Sequence, residues 1–248
     1  LQRLAVPVEE PTIPPRHANP WAERAARDMV NVMASDTSVH HPIFARFYPK
    51  LARAMERGGM AEHRAALLAD LNGEVLEIGA GSGSNFRHYP ATVTRVVAVE
   101  PEPHLRRTAQ AAAGGAPVPV EVVDGFAERL PAGDASVDAV VCSLVLCSVR
   151  DPAAALREIG RVLVPGGELR FLEHVRAETP GLVRVQRFMD ATFWPRIAGG
   201  CRTGRDTAAA IEDAGFTLDR IDRFLFPDVR TPTSSHILGV ATRSRANQ

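Results

Sequence analysis

With 248 residues, 45% of them hydrophobic, the chain is long enough for one α/β domain with a full core. Lys and Arg balance Asp and Glu at 29 each and aromatics make up only 6%, so there is no basic stripe or stacking platform, and a nucleic-acid partner is excluded. No stretch approaches the roughly 18 uninterrupted apolar residues of a membrane span, and no basic-then-apolar signal pattern opens the chain, so a soluble cytoplasmic protein is expected.

Residues 1–40 read as a disordered or surface-draped leader, with prolines at 7, 11, 14, 15 and 20 and a plausible helix from Trp21 to Met33. The main domain is placed at 41–248. In HHPIFARFYPKLARAME, Ile43, Phe44, Phe47, Leu51 and Met55 fall near helical spacing, and the proline-interrupted start suggests a lid helix whose two phenylalanines pack on the core.

The stretch VLEIGAGSG over 75–83 is an apolar strand that turns on glycines at alternate positions, Gly79, Gly81 and Gly83. A dinucleotide fingerprint, G-x-G-x-x-G, needs a glycine where this chain has Ser84, so the spacing leans away from nicotinamide. Glycines here let main-chain amides and carbonyls meet a nucleoside ligand directly. The next β-branched run, TRVVAVEPEP, presents Glu100 about 20 residues on, where a second strand offers its carboxylate to ribose hydroxyls and repels a phosphate on the same sugar.

Strands are predicted near 74–79, 94–100, 118–123, 137–142 and 168–174, with helices over Pro101–Ala113 and Asp151–Leu163 between them, an alternation that prescribes a parallel sheet. Asp151 reads as an N-cap, Pro152 as the first helical residue and Pro165-Gly166-Gly167 as the stop, with Ala155, Leu156, Ile159 and Leu163 on the buried face. A helical stretch RVQRFMDATFW, a helix near 204–214 and runs near 216–224 and 236–242 follow. Cys142, Cys147 and Cys201 are odd in number and lack metal-ligand spacing, which predicts a reducing compartment with neither a disulfide framework nor a metal site.

In order, the segments LEIGAGSG, VVAVEPEP, GFAERLP, SVDAVVCSLVLCSV and LREIGRVLVPGGELRFLEHV resemble the class I S-adenosylmethionine-dependent methyltransferases, from about residue 44 to 242. SVDAVVCSLVLCSV, the RVLVPGG…EHV pattern and GGCRTGRDTAAAIEDAGF bring the likeness toward the methyltransferase-like thiol S-methyltransferases. The likeness to ubiquinone and menaquinone C-methyltransferases is more general. The resemblance implies a Rossmann-like seven-stranded sheet, mostly parallel with an antiparallel last strand, S-adenosyl-L-methionine as cofactor and a small-molecule acceptor. The membrane anchor that opens the animal thiol enzymes is not carried over.

The resemblance further implies that Gly79, Ala80, Gly81 and Gly83 hold the methionine portion, that Glu77 orients its ammonium and that Tyr48 lies nearby. Glu100 with Pro101 takes the ribose, Asp124, Gly125 and Phe126 flank adenine, and Ser143 completes the strand-end set. Many relatives carry an acid where this chain has Phe126, so Phe126 packing on the purine and Asp124 reaching it stay open. His174 is the candidate catalytic base, with backbone hydrogen bonding as its plain structural role. Cys147 is placed in or beneath the acceptor pocket, Arg205 is read as an anion site or a solvated helix start, and His40 and His41 as surface residues. A thiol acceptor is preferred; the alternatives are carbon or oxygen methylation, a protein that binds the cofactor without turnover and, remotely, a nicotinamide dehydrogenase.

Overall fold

The computed structural model describes residues 41–243; the expected leader over 1–40, its helix over 21–33 and His40 lie outside the described residues. Seven strands form one sheet: β1 Gly73–Ile78, β2 Val93–Val99, β3 Val120–Val123, β4 Val137–Ser143, β5 Leu163–His174, β6 Phe216–Leu225 and β7 Ser235–Arg243. The order is β3-β2-β1-β4-β5-β7-β6, with β1 to β5 mutually parallel and β7 antiparallel to both of its neighbours. The expected sheet and its reversed final strand are therefore present. The chain winds outward from β1 to β3 and restarts at β4 on the other side of β1, which leaves a crevice at the carboxyl ends of β1 and β4.

The predicted cap at Asp151 is real, its carboxylate accepting from the Ala154 amide at 2.9 Å. Helix α4, Pro152–Val162, buries Ala155, Leu156, Ile159 and Val162. Helix α3 is Pro103–Ala113 and starts two residues later than expected, because Glu102 accepts from the amides of His104 at 2.7 Å and Leu105 at 2.9 Å and so marks the boundary. The stretch after 180 divides into α5 Pro180–Ala191 and α6 Trp194–Ile197. Pro195 has no N–H to give and its ring would clash with the Ala191 carbonyl in a continuous helix. Helix α7 is Thr207–Asp213. No helix among the described residues is long and apolar enough to cross a membrane.

Helix α1, Pro42–Met55, buries a stripe rotated from the one expected, keeping Phe44 and Met55 partly covered. Ile43, Phe47 and Leu51 are 76%, 61% and 52% exposed, whereas Ala45 and Ala52 are buried and Phe44 is half-buried against Gly199. Period alone cannot say which stripe faces inward; the alanine stripe lets the helix approach the glycine turn closely, and Tyr48 comes to rest on Gly81. A π-helical turn, Glu56–Met60, with Gly59 at φ 112°, leads into α2, Ala61–Leu68, which sequence reasoning did not anticipate. Met60, Leu67 and Leu68 seat it in the core.

Candidate active site

The glycine turn closes the end of β1 against β2. The Gly79 and Ala80 amides donate to the Val99 carbonyl at 2.8 and 3.1 Å, and the Gly81 amide donates to Glu100 Oε2 at 2.7 Å. Gly79 and Gly81 have φ of 63° and 58°, and a Cβ at Gly79 would stand 2.6 Å from Val145. A side chain is refused there by both backbone and space.

Two buried carboxylates stand at neighbouring strand ends. Glu77, 2% exposed, accepts from Asn85 Nδ2 at 2.9 Å and Tyr89 Oη at 2.7 Å. Glu100, 5% exposed, accepts from the Gly81 amide and from the Glu102 amide at 2.9 Å. Burial raises each to about 7, against the hydrogen bonds that favour its ionised form. Arg64 of α2, 3% exposed, reaches the same place and donates to Asn85 Oδ1 at 2.8 Å, Ser143 Oγ at 2.7 Å and Glu56 Oε1 at 2.7 Å. Glu77, Asn85, Arg64 and Ser143 thus form one continuous polar network.

The remaining predicted cofactor residues cluster around Arg106, whose guanidinium donates to the carbonyls of Glu100 at 2.8 Å and Pro101 at 3.0 Å and to Asp124 Oδ1 at 2.8 Å. Asp124 is exposed and held in that ion pair. Gly125 lies against Val99, where a Cβ would come within 3.0 Å, and Phe126 is half-buried, its carbonyl accepting from the Arg129 amide. Gly83 folds the turn back by donating to the Ala80 carbonyl at 2.9 Å.

His174, at the end of β5, belongs to a different constellation. Its Nδ1 lies 3.5 Å from Cys201 Sγ, which lies 3.8 Å from Cys147 Sγ. Residues with no metal-ligand spacing in the sequence are brought together by the fold: ligand atoms of Cys147, His174 and Cys201 all lie within 4.8 Å of one another, while Cys142 is buried in β4. The neighbouring Cys147 sulfur and His174, against the effect of burial, lower the Cys201 thiol to about 5, whereas Cys147 is pushed well above its ordinary value. Burial works against protonation of His174, but the Cys201 sulfur beside it prevails and its pKa rises. Arg205 is partly buried and donates to the carbonyls of Leu146 and Val149, which clamps the loop that carries Cys147.

Tyr48 borders both groups. Its ring packs on Gly81, and its hydroxyl pKa is raised by burial, opposed by Arg64 and reinforced by Glu100 and Cys147. A groove of about 740 Å³ beside α5, lined by Arg176, Arg184, Arg187 and Arg223 among others, takes no residue from the glycine turn, and the strand-end chemistry lies elsewhere. Sequence reasoning missed Arg64, Asn85 and Tyr89; the available signal was an arginine in the apolar face Met60, Leu67, Leu68, Leu71 of a helical pattern.

Residues 76–171 match the family described as "Methyltransferase domain". The chain is 37% identical over 172 residues to the human protein named Thiol S-methyltransferase TMT1B, which covers 68% of this chain and 70% of that relative. To the demethylmenaquinone methyltransferase of Deinococcus radiodurans it is 32% identical over 125 residues, covering 50% of this chain and 52% of the relative. The crystal structure of an S-adenosylmethionine-dependent methyltransferase from Thermotoga maritima superposes with a TM-score of 0.61 at 23% identity, covering 82% of this chain and 99% of that one, and shares the fold. Fold, motif order and relatives agree: the chain is an enzyme that belongs to the class I S-adenosylmethionine-dependent methyltransferases.

Proposed function

We propose that this enzyme methylates a small-molecule thiol, with residues 41–248 as the methyltransferase domain. The observation that carries the reading is the likeness, over 172 residues, to a protein named as a thiol S-methyltransferase. Bound S-adenosylmethionine supplies a methyl group on a sulfonium sulfur whose positive charge vanishes on transfer. The residues fit that cofactor: Glu77 and Glu100 are buried carboxylates that each accept two hydrogen bonds and keep further acceptor sites for a ligand's donors, and Gly81 leaves main chain bare beside them.

In this reading Glu100, with Pro101, takes the ribose hydroxyls, and Glu77 orients the ammonium directly or through water. Gly79, Ala80, Gly81 and Gly83 border the methionine portion. Gly125 and Phe126 flank the adenine; Asp124, engaged by Arg106, is the weaker partner for its amino group. Ser143 acts through Arg64. His174 serves the acceptor side as the catalytic residue. A thiol of ordinary pKa near 8.5 is already a few per cent ionised at neutral pH, so placing it in line at about 3 to 3.5 Å is most of what the protein must do.

Cofactor binding should depend on pH. Both folded pKa values stand above the ordinary 4.5, so the protonated groups stabilise the free protein below that value, and this contribution is lost as pH rises through about 7. Around Glu77 stand Asn85, Tyr89, Arg64 and Glu100, and around Glu100 stand Gly81, Glu102 and Arg106. A ligand that donates to the carboxylates requires their ionised forms, so S-adenosylhomocysteine should bind more weakly at about pH 6 than at about pH 8, by about tenfold for each carboxylate it engages and about a hundredfold for the two together. Calorimetry in buffers of different ionisation enthalpy would show the proton released; a flat profile would remove the ammonium and ribose assignments.

The likeness to the Deinococcus enzyme favours carbon methylation of a quinone as the second reading. Purified enzyme given methyl-labelled cofactor and a panel of alkyl thiols, phenols and reduced quinones is expected to label the thiols. Turnover confined to quinones would replace the acceptor, and tight cofactor binding without any turnover would make the chain a sensor.

A further inference from the structure

Cys147, His174 and Cys201 come from three distant parts of the chain, the loop after β4, the last residue of β5 and the turn after α6, yet their ligand atoms converge within 4.8 Å. Two of the three separations match a coordination polyhedron, and the third pair lies within 4.8 Å. A tetrahedral zinc ion with bonds of about 2.3 Å to sulfur and about 2.0 Å to nitrogen holds two sulfurs about 3.8 Å apart, and a sulfur and a nitrogen about 3.5 Å apart. The corresponding separations here are 3.8 Å between the sulfurs and 3.5 Å between Cys201 Sγ and His174 Nδ1. A disulfide, at about 2.0 Å, would demand a much closer approach of the two sulfurs.

The surroundings are those of a built site. The His174 ring also donates to the Thr233 backbone carbonyl, which suits Nε2–H and leaves the Nδ1 lone pair facing the sulfurs. Metal-bound histidines are oriented by such a second hydrogen bond. The loop bearing Cys147 is pinned by Glu173, which accepts from the amides of Val145 at 3.0 Å, Leu146 at 2.9 Å and Cys147 at 3.1 Å. The Arg202 amide donates to the Cys147 carbonyl at 2.8 Å and ties that loop to the one bearing Cys201. Gly199 and Gly200, at φ 61° and 88°, make the turn that delivers Cys201, and a Cβ on Gly200 would stand 2.8 Å from the Ser148 carbonyl oxygen. The buried indole N–H of Trp194 lies beside Cys201 and meets no other acceptor among the described residues, which leaves the sulfur as the group it can face.

We propose that Cys147, His174 and Cys201 form a three-ligand site for a zinc-type divalent cation whose open fourth position takes the sulfur of the methyl acceptor. Two sulfurs and an imidazole select zinc over magnesium or calcium, and three protein ligands with one vacancy are the pattern of a catalytic rather than a structural zinc. Both cysteines are buried and His174 is partly buried, so the open position lies in a largely desolvated place. The fourth ligand rests on the thiol reading above; the three-residue site rests on its own geometry. On binding, the acceptor thiol gives its proton to solvent and is held as thiolate. Its electron pair forms the new carbon–sulfur bond while the methyl carbon's bond to the sulfonium sulfur breaks and that pair neutralises the sulfonium. The products are a methyl thioether and S-adenosylhomocysteine, and the metal neither gains nor loses electrons.

The full chain, purified without chelator and desalted, is expected to carry about one zinc per molecule by plasma mass spectrometry. Cys201→Ser and His174→Gln should each lower that content at least about tenfold, while thermal stabilisation by S-adenosylhomocysteine persists and shows that the fold survives. Cobalt-substituted enzyme should show tetrahedral thiolate bands that change when a small alkyl thiol is added. Metal-free wild-type protein that methylates thiols at full rate in the presence of chelator would overturn the site and leave the thiol reading intact. Stoichiometric zinc with turnover confined to quinones would uphold the site and remove the thiol as its fourth ligand. Intact mass two hydrogen atoms low, with no metal, would assign the pair of cysteines to a disulfide and overturn the proposal.

Discussion

Glu100→Ala should weaken binding of S-adenosylhomocysteine by about a hundredfold, since hydrogen bonds to a charged acceptor contribute about 1.5–3 kcal/mol each and the substitution removes the proposed partner of two ribose hydroxyls. It also strips the Gly81 and Glu102 amides of their acceptor, so the glycine turn loses its tether to β2. Glu100→Gln keeps the shape and one acceptor oxygen and should fall between the two. Asp124→Asn, on an exposed side chain already paired with Arg106, should change little. Calorimetric titration of the four proteins decides the matter. Wild-type affinity in Glu100→Ala, with the fold intact by circular dichroism, would place the nucleoside elsewhere.

The second large effect concerns stability. Arg64→Ala should lower the unfolding free energy by about 3–5 kcal/mol, the range for breaking a buried ion pair and leaving its partners uncompensated. The guanidinium is almost wholly buried, and its removal leaves Asn85 Oδ1, Ser143 Oγ and Glu56 Oε1 without their donor. It also deletes the positive charge that holds down the pKa of Glu77, so that group should titrate still higher. Denaturant unfolding of Arg64→Ala and Arg64→Lys measures the first effect. The titration of Glu77 followed by carbonyl NMR measures the second. An Arg64→Ala protein as stable as the wild type would show that the network merely occupies space.

The sheet was legible because its signals are local. Runs such as VLEI and RVVAV, a glycine turn behind the first and an acid ending the second, specify strand and direction within a few residues of each other. Asp151-Pro152 announces a helix start in two letters, and Glu102 performs the same capping task one helix earlier, where the eye stops at Pro101 instead. Arg64 was harder to see. Its partners Asn85 and Ser143 lie 21 and 79 residues away, and no pattern within a helical window reports on them. The sulfur and imidazole cluster spans 54 residues from Cys147 to Cys201 and 27 from His174 to Cys201, so its coherence exists only after the sheet has set strand ends side by side. On α1 the periodicity was correct and the facing was not, because an alanine stripe beside a glycine turn outcompetes a larger apolar stripe when close approach is what the fold requires.

Tyr48 gives this architecture a bookkeeper's role between its two halves. One phenol ring is at once the ceiling over Gly81 and an electrostatic neighbour of Cys147, so in the proposed reading a shift of that ring by the nucleoside would be felt on the acceptor side. In that reading donor and recipient would not occupy the enzyme as strangers. Whatever advantage the first arrival confers on the second, the second must return in equal measure.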